Sequence, residues 1–152
     1  MTTLKATLHD DLTTAIKARD QLRSATLRLT LSAIGYEETA GDSARELSDD
    51  EVLKIITREV KKRRDAAEAF EKAGRADSAE RERAEAEVLT AYLPAQLSDD
   101  ELRTLVTEAV TETGASGMAG MGAVMKAVQP KVAGRAEGSR VAAEVKRQLS
   151  AG

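Results

Sequence analysis

The sequence predicts an all-α protein: an N-terminal helical bundle joined to a small C-terminal three-helix domain. Three observations carry this. Apolar residues recur at helical spacing along most of the chain, two closely similar helix-start signatures stand far apart, and no alternating strand pattern competes. The 152 residues hold 23 Lys and Arg against 26 Asp and Glu, no Cys, no Trp, and only Tyr36, Phe70 and Tyr92 as aromatics. The core must therefore be aliphatic. The missing cysteines exclude disulfides, thiolate zinc sites and a Cys nucleophile.

The elements follow in order. Leu4, Leu8, Leu12 and Ile16 recur every four residues and mark a first helix. A second, from about Asp20, carries the stripe Leu22, Ala25, Leu29, Ala33 and Tyr36, widened by Leu27, Leu31 and Ile34. It is expected to be the most buried helix of this half. Glu38 to Arg45 reads as a loop. Leu47-Ser48-Asp49-Asp50-Glu51-Val52 and Leu97-Ser98-Asp99-Asp100-Glu101-Leu102 are each a capping box, with Ser at the N-cap, Glu three residues on, and a leucine staple before it. The acidic first turns suit the helix dipole, so capping explains these carboxylates better than metal binding does. The third helix runs from Ser48 to about Lys72, with Val52, Ile56, Val60, Ala67 and Phe70 inward, and Gly74 ends it. Its run Lys61-Lys62-Arg63-Arg64 reads as a solvated face offset by Glu59, Asp65 and Glu68. A fourth helix spans about Ala76 to Tyr92.

Pro94 disfavours helical geometry at Leu93, which puts a domain joint at Tyr92 to Gln96 and domains at 1–93 and 94–152. Ser98 to about Thr113 forms an acidic helix with Leu102, Leu105, Val106, Ala109 and Val110 inward, capped by Gly114. Met121, Val124, Met125 and Val128 define a short helix that Pro130 is expected to terminate. A last helix from about Ser139 places Val141, Ala142, Val145 and Leu149 on one side, with Arg140 and Arg147 opposite.

Catalytic motifs are sparse. His9, the lone histidine, reads as a surface residue. No Gly-x-Ser-x-Gly elbow, Ser-x-x-Lys pair or Gly-Gly-Ser-Ser run occurs. Gly117 to Gly122 has the spacing of half a phosphate loop, but Ala123 and Val124 stand where Lys and Ser or Thr are required. It reads as an interhelix loop in which Gly122 packs closely, with Met118, Met121 and Met125 as core filler. No catalytic residue, metal ligand or cofactor is assigned. The N-terminus has no uninterrupted apolar stretch and no membrane span is visible, so a cytoplasmic location is expected.

Charge singles out the tail. From Ala115 to Gly152 six basic residues (Lys126, Lys131, Arg135, Arg140, Lys146, Arg147) meet two acidic ones (Glu137, Glu144), a net +4 in a chain of net −3. Gly134 and Gly138 bracket Arg135 in a tight turn. Lys126, Lys131, Arg135, Arg140 and Arg147 are the candidate nucleic-acid contacts, Arg gripping phosphate through two donors and Lys as a point charge. The competing reading has Arg135 pairing with Glu137 or Glu144 to staple the turn.

Glu85-x-Glu87, Tyr92-Leu93-Pro94-x-Gln96-Leu97-Ser98, Met121-Gly122-x-Val124-Met125-Lys126, Pro130-Lys131 and Gly134-Arg135-Ala136-Glu137-Gly138 together resemble the YqeY family. That family is similar to the C-terminal tail of GatB, a component of the tRNA-dependent amidotransferase. Glu137 stands where the family usually has Asp, which keeps the charge. The resemblance implies a helical bundle plus a three-helix tail that engages tRNA. It also implies the family's label, a carbon–nitrogen ligase with glutamine as amido donor, whose motifs are missing here. The expected function is thus a tRNA-binding accessory protein without catalysis of its own. The alternatives are a helical adaptor for a synthetase or amidotransferase, and a glutamine-dependent ligase.

Overall fold

The computed structural model describes residues 2–151. Seven α-helices and one short 3₁₀ turn make up the regular structure of the described residues, with no strand among them. The chain packs as two compact units, Met1–Leu93 and Pro94–Gly152.

The first unit contains α1 (Leu4–Lys17), α2 (Gln21–Thr39), α3 (Asp49–Lys72) and α4 (Ala76–Thr90). Thr3, Asp20 and Ser48 cap the first three through their side chains, and Ser48 closes a full capping box with Glu51. Leu8, Leu27, Ile34, Val52, Ile56 and Leu89 are wholly buried and close the core. The stripe expected to bury α2 does so only in part: Ala33 packs against the core, but Leu29 is 59% and Tyr36 73% exposed. Ser24, Thr26 and Thr30 go inward with Leu27 and Ile34 instead. Each hydroxyl donates to the carbonyl four residues back in its own helix, so burying them leaves no polar group unpaired. Tyr36 on the outer face keeps its hydroxyl in water.

Two further expectations for this unit are corrected. Arg63 is not part of a solvated face but 7% exposed. Its guanidinium lies 3.0 Å from Glu59 and 3.4 Å from Glu85 of α4, which offsets the desolvation that would otherwise exclude a charge. Lys61 and Lys62 of the same run do stay exposed. Phe70 is only half-buried and lies beneath the Arg75 guanidinium, 5.1 Å from ring centre to cation.

The turn from α1 to α2 is a Schellman motif: the Asp20 amide donates to Ala15 and the Arg19 amide to Ile16. Its left-handed position is occupied by Arg19, at φ 57°, where glycine is the usual residue. Against glycine this costs on the order of 1 kcal/mol.

The second unit contains α5 (Asp99–Thr113), a 3₁₀ turn (Met118–Gly120), α6 (Met121–Val132) and α7 (Gly138–Ala151). Ser98 and Glu101 form the second capping box, and Gly114 ends α5 in the left-handed conformation, φ 65°. Leu102, Val106, Val124, Val128, Val141 and Val145 form a core of their own. Pro130 does not terminate α6, which continues to Val132. Proline in the last turn forfeits one helical hydrogen bond, and burial of Val132 in this core repays the extra residues. The close approach expected at Gly122 falls at Gly120, where a Cβ would lie 2.6 Å from that of Ala115. Of the three methionines, Met121 and Met125 pack against the core, while Met118 is 45% exposed.

Candidate nucleic-acid interface

The turn between α6 and α7 is built from two segments far apart in sequence. Ala133 leaves the helix at φ −53°, ψ 119°, and Gly134 takes φ 72°, with the ring of Pro94 3.5 Å from the position a Cβ would occupy. The Arg135 amide donates to Val132, and the Arg135 carbonyl accepts from the Leu97 amide at 2.8 Å. Gln96 Nε2 donates to the carbonyls of Pro94 and Gly134, at 2.8 and 2.9 Å. Arg135 Nε donates to the Ala95 carbonyl at 3.1 Å. Pro94-x-Gln96-Leu97 and Gly134-Arg135 are therefore one hydrogen-bonded clasp. Each motif supplies what the other leaves unpaired.

Arg140 extends the clasp by donating to the Leu97 carbonyl at 3.1 Å and to Asp99 at 2.9 Å. Lys131 reaches Glu112 of α5 at 3.3 Å. Arg147 makes a two-donor pair with Glu144, at 2.8 and 2.6 Å. The hydrogen bonds from Arg147, aided by Gln148, hold the Glu144 carboxyl down at about 2. Lys126 is exposed and enters no ion pair among the described residues.

The five predicted cations are thus not one uninterrupted basic face. Arg140 and Arg147 line a common cleft, together with Asp99 and Glu144. Arg135 lines another with Asp100 and Glu101, and its charge helps to lower the Glu101 carboxyl, after the hydrogen bonds from Ser98. The source is α5, which packs against both α6 and α7. Counted over 94–152, seven basic residues meet seven acidic ones, so the unit as a whole is neutral. The +4 count begins at Ala115 and leaves out the acidic helix that the fold lays beside it.

Arg135 does not pair with Glu144, which is taken by Arg147. With Nε committed to Ala95, its two terminal nitrogens have no hydrogen-bond acceptor among the described residues. His9 is exposed on α1, and no group of three or more His, Asp or Glu side chains among the described residues is arranged to hold a metal ion.

Comparison with known proteins matches residues 5–149 to the YqeY family, described as Yqey-like protein. An uncharacterised protein of Schizosaccharomyces pombe is 34% identical over 97 residues, 63% of this chain and 76% of that protein. Two proteins named altered inheritance of mitochondria protein 41, mitochondrial, are also similar. The one from Clavispora lusitaniae is 30% identical over 133 residues, 86% of this chain and 76% of its own length. The one from Lachancea thermotolerans is 34% identical over 110 residues, 70% of this chain and 58% of its own length. Their names place those two in mitochondria. For this chain, no described helix is long and apolar enough to cross a membrane. With a match spanning almost the whole chain and the paired clasp motifs in place, the protein belongs to the YqeY family.

Proposed function

We propose that the protein is a non-catalytic accessory factor that binds structured RNA, tRNA above all, through its tail unit. The observation that carries this reading is the state of Arg135. One donor anchors the guanidinium to Ala95, and the two terminal nitrogens remain unengaged in a fixed orientation. That is the fork geometry that suits a phosphate. Lys126 adds an exposed charge with no carboxylate of its own. Lys131, Arg140 and Arg147 contribute less, because a phosphate must displace Glu112, Asp99 or Glu144 from each. Resemblance to the tRNA-engaging amidotransferase tail supports the same partner. Stacking platforms for single-stranded bases are missing, so contact falls on phosphates and RNA shape.

A neutral unit in which only Lys126 and Arg135 of the five candidate contacts lack an ion pair among the described residues binds weakly and with a shallow salt dependence. The log–log slope should be about −2, at roughly 0.9 per phosphate neutralised. Fluorescence anisotropy of labelled tRNA at low salt tests this. Lys126→Glu with Arg135→Gln should weaken binding about tenfold, the loss of two charge-assisted contacts. Lys126→Glu alone changes a solvated side chain, so its effect does not depend on the clasp surviving. Absence of binding by the unmodified protein, or unaltered binding by both variants, would refute the reading.

Exposed Met118, the first residue of the 3₁₀ turn, favours a second reading, an adaptor for a synthetase or amidotransferase. Association with such an enzyme that survives nuclease and is lost in Met118→Asp would support it over RNA binding.

A further inference from the structure

The N-terminal unit carries a cationic cleft of a different kind from those of the tail. Ile16 near the end of α1, Arg19 in the following turn, Ser24, Ala25 and Arg28 of α2, and Arg81 of α4 line it, with no carboxylate among the lining residues. The clefts around Arg135 and Arg140, by contrast, contain acids. Arg19 and Arg28 enter no ion pair among the described residues. Arg81 reaches Glu85 at 3.3 Å, but Glu85 also faces Arg63 at 3.4 Å, so one carboxylate is divided between two guanidinium groups. Neighbouring Asp20 is already committed, capping α2 through the Arg23 amide and lying 3.7 Å from the Arg23 side chain.

Backbone geometry is the second observation. Arg19 is the sole non-glycine residue of positive φ among those described. A side chain held where glycine would fit without strain points to a role for that side chain. Arg19, Arg28 and Arg81 come from three parts of the fold to line one cleft, beside Ile16, which is 47% exposed. A single carboxylate would leave much of that charge unmet. A terminal phosphate carries up to two charges and three acceptor oxygens, and successive diesters of an RNA backbone carry one charge and two free oxygens each, so either can engage more than one of these forked donors.

We propose that this cleft binds a phosphate group through Arg19, Arg28 and Arg81. The group belongs either to a small phosphate ester or to an RNA backbone, and the site is separate from the tail contacts.

The test is an NMR titration of the full chain, following arginine Nε–H signals with pyrophosphate as one probe and a short RNA duplex as the other. The signals of Arg19, Arg28 and Arg81 should move and saturate, while Arg58, paired with Glu37, stays in place. Saturation by pyrophosphate alone assigns the small ester; saturation by RNA at lower concentration assigns the backbone. Arg19→Gly removes a guanidinium yet supplies the residue that the turn prefers, so the melting temperature should hold or rise while affinity falls about tenfold. Arg28→Gln should produce the same loss. The proposal is overturned if neither probe moves these signals, if Arg58 moves equally, or if both variants bind like the unmodified protein. The tail variants at Lys126 and Arg135 should leave the Arg19 and Arg28 shifts intact, so failure of the tail reading is distinguishable from failure of this one.

Discussion

Glu144 shows how a single contact turns into a pH dependence. Its carboxyl is held at about 2 rather than the ordinary 4.5, chiefly by hydrogen bonds from Arg147. The folded state therefore binds this proton less readily than the unfolded chain. The resulting stability is complete above about pH 4.5 and is lost as pH falls toward 2. Glu51, gripped by Arg45 and likewise held at about 2, acts over the same window. Melting temperatures between pH 2 and 5 should fall less steeply for Glu144→Gln than for the unmodified protein. Equal slopes would mean that the pair does not persist in solution. Arg63 lies at the opposite extreme of burial. Its sequence neighbours are both basic, Lys62 among them is exposed, and its partner Glu85 lies on another helix. No local signal distinguishes it from Lys62, because burial is decided by what packs on top.

Helix starts are properties of short stretches, and there sequence and structure agree closely. Both capping boxes form as the Ser-Asp-Asp-Glu spacing requires, since every atom involved lies within four residues. Ser48→Ala and Ser98→Ala should each cost about 1 kcal/mol in thermal or urea denaturation, and the Asp replacements should recover most of it. A negligible change in both would mean that the ends are held by packing instead. Helix faces and helix ends are less legible. Two apolar stripes compete along α2, and the buried one is that whose threonines bond back to their own helix. Pro130 marks the end of α6 only to within a turn, because a proline so near the last carbonyls removes a single bond.

Each of the two units closes a core of its own. A tail of about 60 residues is near the lower limit for independent folding. We expect the isolated 94–152 fragment to melt cooperatively, and Val128→Ala, at a wholly buried position, to lower its stability by about 2 kcal/mol. A broad, non-cooperative melt would show that this core does not suffice alone. Charge is also a property at this scale. Reading along the chain locates the basic residues of the tail but not their surroundings, because α5 adds five of the seven acids that balance seven bases over 94–152.

By itself the sequence determined the helical class, the aliphatic core, the capped helix starts and the family, since composition, periodicity and motif spacing are all local or additive. Only the tertiary structure decided which face of α2 is buried, that Pro94-x-Gln96-Leu97 and Gly134-Arg135 are two halves of one clasp, and which cations remain free. Those outcomes depend on pairs of residues tens of positions apart, whose charges and hydrogen bonds are satisfied only once the helices are laid side by side.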